Sequence, residues 1–304
     1  MKRRVGIIGT GWVGSSVAIS ALHSGAVDEL LLHDRRADVA EGEAMDLAQG
    51  AAFYPTATVR TATVEEMADT DVVVIAAGRG GRPGESRLDL LRENSALIRD
   101  LGRQFTRYRG IVILVTNPVD ILTRMMAEAS GLPLARVLGT GTMLDTARLR
   151  LVLGRELRLD PHSVHAQAVG EHGDSGVILW SGVRVGGVPL ADWPEWKAER
   201  EPALAEEVRS AAYRIIARKG ATNHAIGLVA ADLLRCLLRD ERRVLTVSRV
   251  QKGACGLRDV ALSLPAVVGS GGADAVLEPA MAGAEREGLG RSADALRRAF
   301  AEVG

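Results

Sequence analysis

The sequence predicts an α/β fold in which a doubly wound parallel sheet is followed by an α+β domain. In the first half of the chain, apolar runs typical of strands that are covered on both faces alternate with helical segments. This alternation fades after about Thr140, where shorter strand and helix patterns replace it. The chain has 304 residues, more than the usual size of one domain. We therefore predict two closely packed domains, at residues 1–140 and 141–304.

The first elements are a strand, a glycine-rich turn and a helix. Val5 to Ile8 form a short apolar run, and the helical segment after the turn is rich in small and aliphatic residues. In the turn, the first glycine permits a tight bend, the second lets the backbone approach a pyrophosphate, and the third allows close packing of helix on strand. The predicted cofactor contacts in this turn are Gly9, Gly11, Trp12, Val13 and Gly14.

A second apolar strand, Leu30 to His33, ends at Asp34, which follows Gly14 by 20 residues. An acid at this position binds the ribose hydroxyls of a dinucleotide. The order of strand, turn, helix, strand and acid predicts a Rossmann domain that binds NAD. Arg35 and Arg36 come next, and their charges suit a 2′-phosphate, so NADP stays open as the alternative.

Two further parallel strands are predicted at residues 71–78 and 111–117, with helical sequence at residues 88–108 between them. In a doubly wound sheet, functional groups lie at the carboxyl ends of the strands. We therefore expect Ala77 and Gly78 to contact the cofactor, and Asn117 to lie in the active site. Asn117 precedes a proline, and its alternative role is that of a turn residue.

A histidine suited to proton transfer lies far downstream, in the segment Gly170-Glu171-His172-Gly173-Asp174-Ser175. The unperturbed pKa of histidine lies near neutrality, as a general acid and base requires. A lone histidine in a glycine-rich turn is more often a solvated loop residue, so the role of His172 depends on its neighbours.

Five motifs resemble those of the lactate and malate dehydrogenase family, in the family's order and spacing, and the resemblance spans essentially the whole chain. They are residues 9–14 (GTGWVG), 83–88 (PGESRL), 116–120 (TNPVD), 144–148 (LDTAR) and 170–175 (GEHGDS). The resemblance implies hydride transfer between NAD and a small 2-hydroxy or 2-oxo acid, without a metal. Residues 219–222 (KGAT) and 225–227 (AIG) resemble lactate enzymes in particular.

The resemblance also implies the roles of the site residues. His172 is the acid and base, and Asp145 orients its imidazole and stabilises the cationic form. Arg148, three residues after Asp145 on the same helical face, holds the substrate carboxylate with a planar guanidinium. The alternative for that arginine is a surface ion pair with Asp145. Asn117 binds the reacting oxygen or the nicotinamide amide.

The glycine-rich stretch at residues 78–84 is expected to close as a lid, to exclude water and to bring Arg87 to the reacting carbonyl. The family chooses its substrate at a lid position that aligns with Gly81, where lactate enzymes have glutamine and malate enzymes arginine. Arg82 or Arg79 is then the available cation for a second carboxylate. We expect an L-lactate and pyruvate enzyme with relaxed side-chain specificity; malate or broad 2-hydroxy acid turnover is the alternative.

Four more residues carry expectations from the resemblance. Thr222 is expected to face the substrate side chain, and Ile226 the nicotinamide. Arg150 and His165 match positions that bind fructose bisphosphate at a subunit interface of allosteric bacterial lactate dehydrogenases, although packing explains two such residues equally well. Residues 43–47 resemble the dimer-contact helix of the family, so we expect a homo-oligomer, a tetramer rather than a dimer.

Composition narrows the remaining classes of protein. The 38 basic and 38 acidic residues leave no net charge, so neither a nucleic acid nor a membrane is an expected partner. Cys236 and Cys255 are the only cysteines and are not paired in the sequence, which favours the cytoplasm and argues against a structural zinc site. They also lack the pairing that a metal-dependent family 4 glycosidase needs. A non-catalytic NAD-binding homologue is the other rival, but it would not need a proton relay.

The second half predicts smaller elements. Antiparallel strands are expected at residues 177–180 and 183–185, a long helix at 201–219, strands at 243–247 and 260–268, and a closing amphipathic helix at 292–301, in which Leu296 and Phe300 belong to the core.

Overall fold

A computed structural model describes residues 2–80 and 87–303 of the chain, with residues 87–90 described by their backbone alone. Sixteen strands and eight α-helices lie within these residues. The strands are β1 (Arg4–Ile8), β2 (Glu29–His33), β3 (Thr58–Thr61), β4 (Val72–Ile75), β5 (Ile111–Leu114), β6 (Val137–Gly139), β7 (Val164–His165), β8 (Ala168–Val169), β9 (Val177–Ile178), β10 (Arg184–Val185), β11 (Val188–Pro189), β12 (Arg243–Leu245), β13 (Ser248–Lys252), β14 (Arg258–Ser263), β15 (Ala266–Gly269) and β16 (Gly272–Val276). The helices are α1 (Trp12–His23), α2 (Ala37–Gln49), α3 (Arg87–Gln104), α4 (Val119–Ser130), α5 (Met143–Leu157), α6 (Glu201–Lys219), α7 (His224–Leu238) and α8 (Gly283–Ala301).

The largest sheet has eight strands, in the order β3-β2-β1-β4-β5-β6-β13-β14. The six strands from the first half pair in parallel, which confirms the predicted doubly wound sheet. β13 and β14 come from the second half and extend this sheet in antiparallel pairing. The sheet therefore continues across the division expected at residue 140, and the domain bounds themselves stay a prediction.

The second half also forms three small antiparallel sheets, as expected of an α+β region. They contain β11-β10-β7, β12-β15-β16 and β8-β9. The predicted pairing of residues 177–180 with 183–185 is wrong, because β9 pairs with β8 while β10 pairs with β7 and β11. A 3₁₀ turn at Trp180–Gly182 separates the two strands and directs them to different partners.

Other predicted bounds also shift. Residues 260–268 belong to two strands, β14 and β15, with Pro265 between them, since proline has no N–H for a sheet ladder. The closing helix begins at Gly283 rather than at residue 292, because glycines in its first half weaken the helical pattern. The helix at 201–219 is confirmed, and α3 ends at Gln104 rather than at residue 108.

The core lies on both faces of the large sheet. Val73 and Ile75 of β4 belong to one buried cluster, together with apolar residues of α3 and α4. Val72 and Val74 belong to a second cluster, with residues of α1 and α7. Because side chains alternate along a strand, a strand covered on both faces must be apolar at every position. None of the described helices combines the length and apolarity that crossing a membrane requires.

Candidate active site

The glycine-rich turn between β1 and α1 is shaped by close backbone contacts. Gly9 has a φ of +94°, and a Cβ on it would lie 2.4 Å from the backbone nitrogen of Ala77. A Cβ on Gly14 would lie 1.8 Å from the carbonyl oxygen of Gly9. The packing of the protein itself therefore requires both glycines, and it brings the turn next to the end of β4.

Gly11 differs from these two glycines. Apart from its own chain neighbours, no atom of the described residues lies within 4 Å of the position that its Cβ would take. Gly11 is the N-cap of α1, and the first N–H groups of a helix suit an anion. The open side of Gly11 therefore leaves room for an anion such as a pyrophosphate, and the contacts predicted for Gly11, Trp12 and Val13 stay predictions.

Asp34, which follows β2, is a hydrogen-bond acceptor in its ionised form. Its Oδ2 accepts the backbone N–H of Thr10 at 3.0 Å, and its Oδ1 accepts that of Arg36 at 3.0 Å. Burial alone would raise the pKa of Asp34, but these N–H groups and the charge of Arg36 outweigh burial and lower it. The carboxylate joins the glycine-rich turn to the end of β2, where the ribose of NAD is expected.

A buried asparagine that no sequence motif singled out connects the ends of β4 and β5. Nδ2 of Asn94 donates to the carbonyl oxygens of Arg79 at 3.2 Å and Asn117 at 3.0 Å, and its Oδ1 accepts the N–H of Arg79 at 3.1 Å. The hydroxyl of Thr116 donates to the carbonyl of Ala77 at 2.7 Å. These contacts hold the segment after β4 against Asn117, as the positions of the two strand ends predicted.

The structure brings together the three charged residues expected to move the proton and bind the carboxylate. Nδ1 of His172 lies 2.6 Å from Oδ2 of Asp145, and Nη1 of Arg148 lies 3.0 Å from Oδ1 of the same carboxylate. The three side chains are 12 to 23% exposed, so the alternative of a surface ion pair does not hold. Because Nδ1 is bound to Asp145, Nε2 is the ring nitrogen left for a substrate.

The surroundings of His172 favour its cationic form. Burial alone would lower the pKa of His172, but the charge of Asp145, the hydrogen bond to Asp145 and the charge of Asp120 outweigh burial and raise it. The pKa of Asp145 is lowered, because His172 and Arg148 outweigh the burial of that carboxylate. Both shifts favour the pair of a carboxylate and an imidazolium, the form that can donate a proton.

Three successive backbone N–H groups of the histidine segment donate to three different elements. The N–H of Gly170 donates to the carbonyl of Ser263 on β14 at 2.8 Å. The N–H of Glu171 donates to the hydroxyl of Ser292 on α8 at 2.8 Å. The N–H of His172 donates to the carboxylate of Asp120 on α4 at 2.7 Å. None of these three partners carried an expected role in the sequence. The one feature that these three residues share is a polar side chain at a buried position.

Gly81 and Arg82 lie outside the described residues, as does most of the predicted lid, and Arg87 is the first residue of α3 and is described by its backbone alone. Arg79, the other candidate cation, forms an ion pair with Glu93 of α3.

Ile226 lies in the first turn of α7, which packs beside α1, and Thr222 lies just before this helix. Asn223, between them, donates from Nδ2 to the hydroxyl of Ser16 on α1 at 2.8 Å. Ile226 packs against the same core cluster as Val13. The start of α7 is therefore tied to the helix of the dinucleotide turn, and the contacts of Thr222 with substrate and of Ile226 with nicotinamide stay predictions.

The two residues expected to bind a sugar bisphosphate lie on α5 and β7. Arg150 is half-buried, and its Nε has no hydrogen-bond partner among residues 2–80 and 87–303. Burial and the charge of Arg243 both lower the pKa of Arg150. His165 is exposed and lies opposite Arg184 in the β7–β10 pairing. Arginine side chains suit an anion; Arg243 already binds Asp232 and Glu241, so Arg150 is the arginine available to one.

Within the described part of the chain, no three His, Cys, Asp or Glu side chains cluster as a metal site would require. Both cysteines are free thiols; Cys236 is buried in α7, and Cys255 lies in the turn between β13 and β14.

Two family models match almost the whole chain. The model described as the NAD binding domain of lactate/malate dehydrogenase matches residues 3–139. The model described as the alpha/beta C-terminal domain of lactate/malate dehydrogenase matches residues 142–303.

Relatives and solved structures of similar length agree with these models. An L-lactate dehydrogenase of a Synechococcus species is 43% identical over 98% of this chain and 98% of its own, and one of Salinibacter ruber is 42% identical over 99% and 98%. The ligand-bound crystal structure of a minor L-lactate dehydrogenase from Enterococcus mundtii is 37% identical, covers 100% of this chain and 99% of its own, and has a TM-score of 0.97. Its ligand-free form, 35% identical with coverage of 100% and 98%, has a TM-score of 0.91.

Proposed function

This chain belongs to the lactate/malate dehydrogenase family, and we propose that it interconverts L-lactate and pyruvate with NAD. It is an NAD-dependent oxidoreductase of the L-lactate dehydrogenase type. The observation that carries the proposed reaction is the 2.6 Å contact between Nδ1 of His172 and Oδ2 of Asp145. It fixes one ring nitrogen and leaves the other for a substrate oxygen.

The bound cofactor would supply the hydride chemistry, as the acceptor NAD⁺ in lactate oxidation and as the donor NADH in pyruvate reduction. In reduction, His172 starts as the cation and donates the proton on Nε2 to the carbonyl oxygen; in oxidation, Nε2 takes the proton from the hydroxyl. Asp145 keeps the bond to Nδ1 in both directions, which fixes the ring orientation and stabilises its charge. The proton therefore passes between one ring nitrogen and one substrate oxygen.

Arginine side chains hold and polarise the substrate in this proposal. Arg148 uses one N–H on Asp145, and the rest of its guanidinium offers a planar pair of donors to the substrate carboxylate. Arg87 is the second cation and polarises the reacting carbonyl, with Asn117 as a further donor to that oxygen or to the nicotinamide amide. The position of Arg87 at the start of α3 supports this role, because Asn94 of the same helix contacts the carbonyl of Asn117.

Pyruvate is the proposed oxo acid, with relaxed side-chain specificity. A malate enzyme needs a cation for the second carboxylate, since an unpaired buried charge is costly. Gly81 offers no such charge, and Arg79 already pairs with Glu93. Arg82 is the remaining cation that a malate-type reaction would use.

We further propose a homo-oligomer, a tetramer rather than a dimer, that fructose bisphosphate activates through Arg150 and His165. Met45 in the predicted contact helix is 58% exposed, and Leu151, next to Arg150 on α5, is 60% exposed. Single exposed apolar side chains are also common on monomers, so the proposed oligomer rests on the resemblance of residues 43–47 to the contact helix of the family. We place the enzyme in the cytoplasm, in keeping with its free thiols.

Initial rates of NADH oxidation with pyruvate, oxaloacetate and a longer 2-oxo acid test the proposal. We expect pyruvate to have the highest kcat/KM; a preference for oxaloacetate would make the enzyme malate-type. The variant His172→Asn should lose about 10²- to 10⁴-fold in kcat. His162→Asn is the matched control, because His162 is an exposed histidine whose partner is Asp160.

Rates with and without fructose bisphosphate test the effector site. We expect activation in the parent enzyme and none in Arg150→Gln. Arg155→Gln is the control on the same helix, because Arg155 forms an exposed ion pair with Glu207. Activation that survives Arg150→Gln would place the effector elsewhere, and equal rates without any activation would remove it from the proposal.

A further inference from the structure

Asp120 is a buried carboxylate to which the reaction assigns no role. Its side chain is 1% exposed, and it lies in the first turn of α4, three residues after Asn117. A buried carboxylate is costly unless hydrogen bonds or an opposite charge compensate for the lost water. The groups that contact Asp120 therefore indicate the role of this buried carboxylate.

Its one hydrogen bond of regular geometry among the described residues is with the acid and base segment, and the hydroxyl of Ser248 on β13 lies close enough to lower the pKa of Asp120 as well. Oδ2 of Asp120 accepts the backbone N–H of His172 at 2.7 Å, while Oδ1 is buried without a hydrogen-bond partner. Arg124, one turn along α4, does not compensate the charge. Its guanidinium binds Glu128 at 2.8 Å and lies 3.7 Å from the centre of the Phe300 ring.

The positive group near Asp120 is thus the imidazolium of His172. The charged groups that act on His172 are Asp145 and Arg148 from α5 and Asp120 from α4. Those that act on Asp120 are His172 and, with the opposite sign, Glu171 of the same segment. Asp145 is partly compensated by Arg148, whereas Asp120 has no arginine or lysine partner among the described ion pairs.

The hydrogen bond between the N–H of His172 and Asp120 also fixes the distance between His172 and Asn117. Asn117 and Asp120 are joined by a single turn of chain, and the carbonyl of Asn117 is fixed from the other side by Asn94 at 3.0 Å. The bond from the N–H of His172 to Asp120 therefore connects the proton donor directly to the strand end that carries Asn117. A misplacement of about 1 Å between groups that act on one oxygen costs roughly 100-fold in rate.

We propose that Asp120 is a positioning residue, which fixes His172 relative to Asn117 and adds a second negative charge to the surroundings of the imidazolium. This inference rests on the proposed function of His172 as acid and base. A merely structural role, as an acid in the first turn of α4, would stabilise that helix but would not tune the proton transfer.

The test compares the parent enzyme with Asp120→Asn and Ser292→Ala. Asparagine keeps an oxygen that accepts the N–H of His172 and loses the charge. Alanine at residue 292 removes the neighbouring support, the hydroxyl that accepts the N–H of Glu171, and leaves every charge in place. The readout is the pH dependence of kcat/KM for pyruvate reduction.

We expect the alkaline decline in Asp120→Asn to move down by about 1 pH unit, because an opposite charge near a histidine is removed. In Ser292→Ala the midpoint should stay that of the parent, even where kcat falls. An unchanged midpoint in Asp120→Asn, or an equal shift in Ser292→Ala, overturns the proposal.

Two measurements do not depend on activity. The titration of the His172 ring by NMR should show the same downward shift in Asp120→Asn, and it decides on Asp120 even if the parent reduces no oxo acid and the proposed function fails. If Asp120→Asn does not fold, amide hydrogen exchange in the parent decides. The amide of His172 should be protected, and free exchange overturns the contact with Asp120.

Discussion

His172 and Asp145 are 27 residues apart in the sequence, yet Nδ1 of the histidine lies 2.6 Å from Oδ2 of the aspartate. Asp145 is held in α5, and His172 in a segment tied to β14, α8 and α4. The pair is thus supported by four separate elements, and its geometry does not depend on one flexible loop. Tests on either residue therefore report on chemistry rather than on loop order.

Replacing Asp145 with asparagine should reduce pyruvate reduction about 10²- to 10⁴-fold in kcat. The raised pKa of His172 falls without that charge, and the reduction needs the cation. Its rate falls as the pH rises through this pKa, so the decline should begin at a lower pH in the variant. A pH profile of kcat/KM checks this, with the exposed pair of Asp294 and Arg297 as the site of the control Asp294→Asn. A profile that coincides with the parent's would exclude electrostatic support by Asp145.

Replacing Arg148 with lysine should lower kcat/KM for pyruvate about 10- to 100-fold, which corresponds to one charge-assisted hydrogen bond. Lysine keeps the charge but loses the planar pair of donors. Arg155→Lys is the control on the same helix, since the ion pair of Arg155 with Glu207 is exposed. Steady-state kinetics decide. If the two variants lose activity equally, Arg148 does not bind the carboxylate in the way proposed.

Substitutions at Gly14 and Gly11 of the dinucleotide turn should have different effects, the first on folding and the second on cofactor binding. Gly14→Ala places a methyl group 1.8 Å from the carbonyl oxygen of Gly9, so we expect a large fall in the free energy of unfolding or no folded protein. Gly11→Ala meets no described atom within 4 Å apart from its chain neighbours, so it should lower stability only by the weaker N-cap, about 1 kcal/mol. It should nevertheless weaken NADH binding, measured by fluorescence titration. NADH affinity equal to the parent's in Gly11→Ala would place the pyrophosphate elsewhere.

Asp120 should make stability depend on pH. Burial raises the pKa of Asp120 from its ordinary 3.8 to about 6, against the hydrogen bonds from the hydroxyl of Ser248 and the N–H of His172. The stability that the neutral carboxyl contributes is present below about pH 3.8 and is lost as the pH rises through about 6.

The variant Asp120→Asn has no such loss. Its free energy of unfolding, relative to the parent's, should rise between pH 4 and pH 8 by up to about 3 kcal/mol. Urea unfolding at several pH values measures this difference, and Asp100→Asn, at an exposed position on α3, is the control. Parallel stability curves for parent and Asp120→Asn would contradict a raised pKa.

The parts of the site that the sequence predicted are those with local or motif-level causes. Asp145 and Arg148 share a face because three residues separate them on a helix. Gly9 and Asp34 could be placed because both follow strands whose apolar runs are easy to recognise. The parallel sheet itself followed from the same runs.

The parts that the sequence did not predict depend on contacts between distant segments. Ser292 supports Glu171 across 121 residues, and a serine in an amphipathic helix has no pattern that indicates such a partner. β13, with the sequence SRVQK, lacks the apolar run of a central strand, so its place beside β6 was missed. Asn94 is likewise a buried polar residue whose partners are backbone carbonyls of other elements.

The extension of the large sheet by β13 and β14 has a consequence for the precision of the reaction. Gly170 pairs with Ser263 at the end of β14, and Gly9 follows β1 in the same sheet. The turn that is predicted to bind the dinucleotide and the segment that carries the proton donor are therefore both attached to the same hydrogen-bonded sheet. To separate them, thermal motion must break several ladder bonds at once, so their spacing is set when the chain folds. The entropy of aligning these two groups is lost during folding, and each catalytic cycle must order only the substrate.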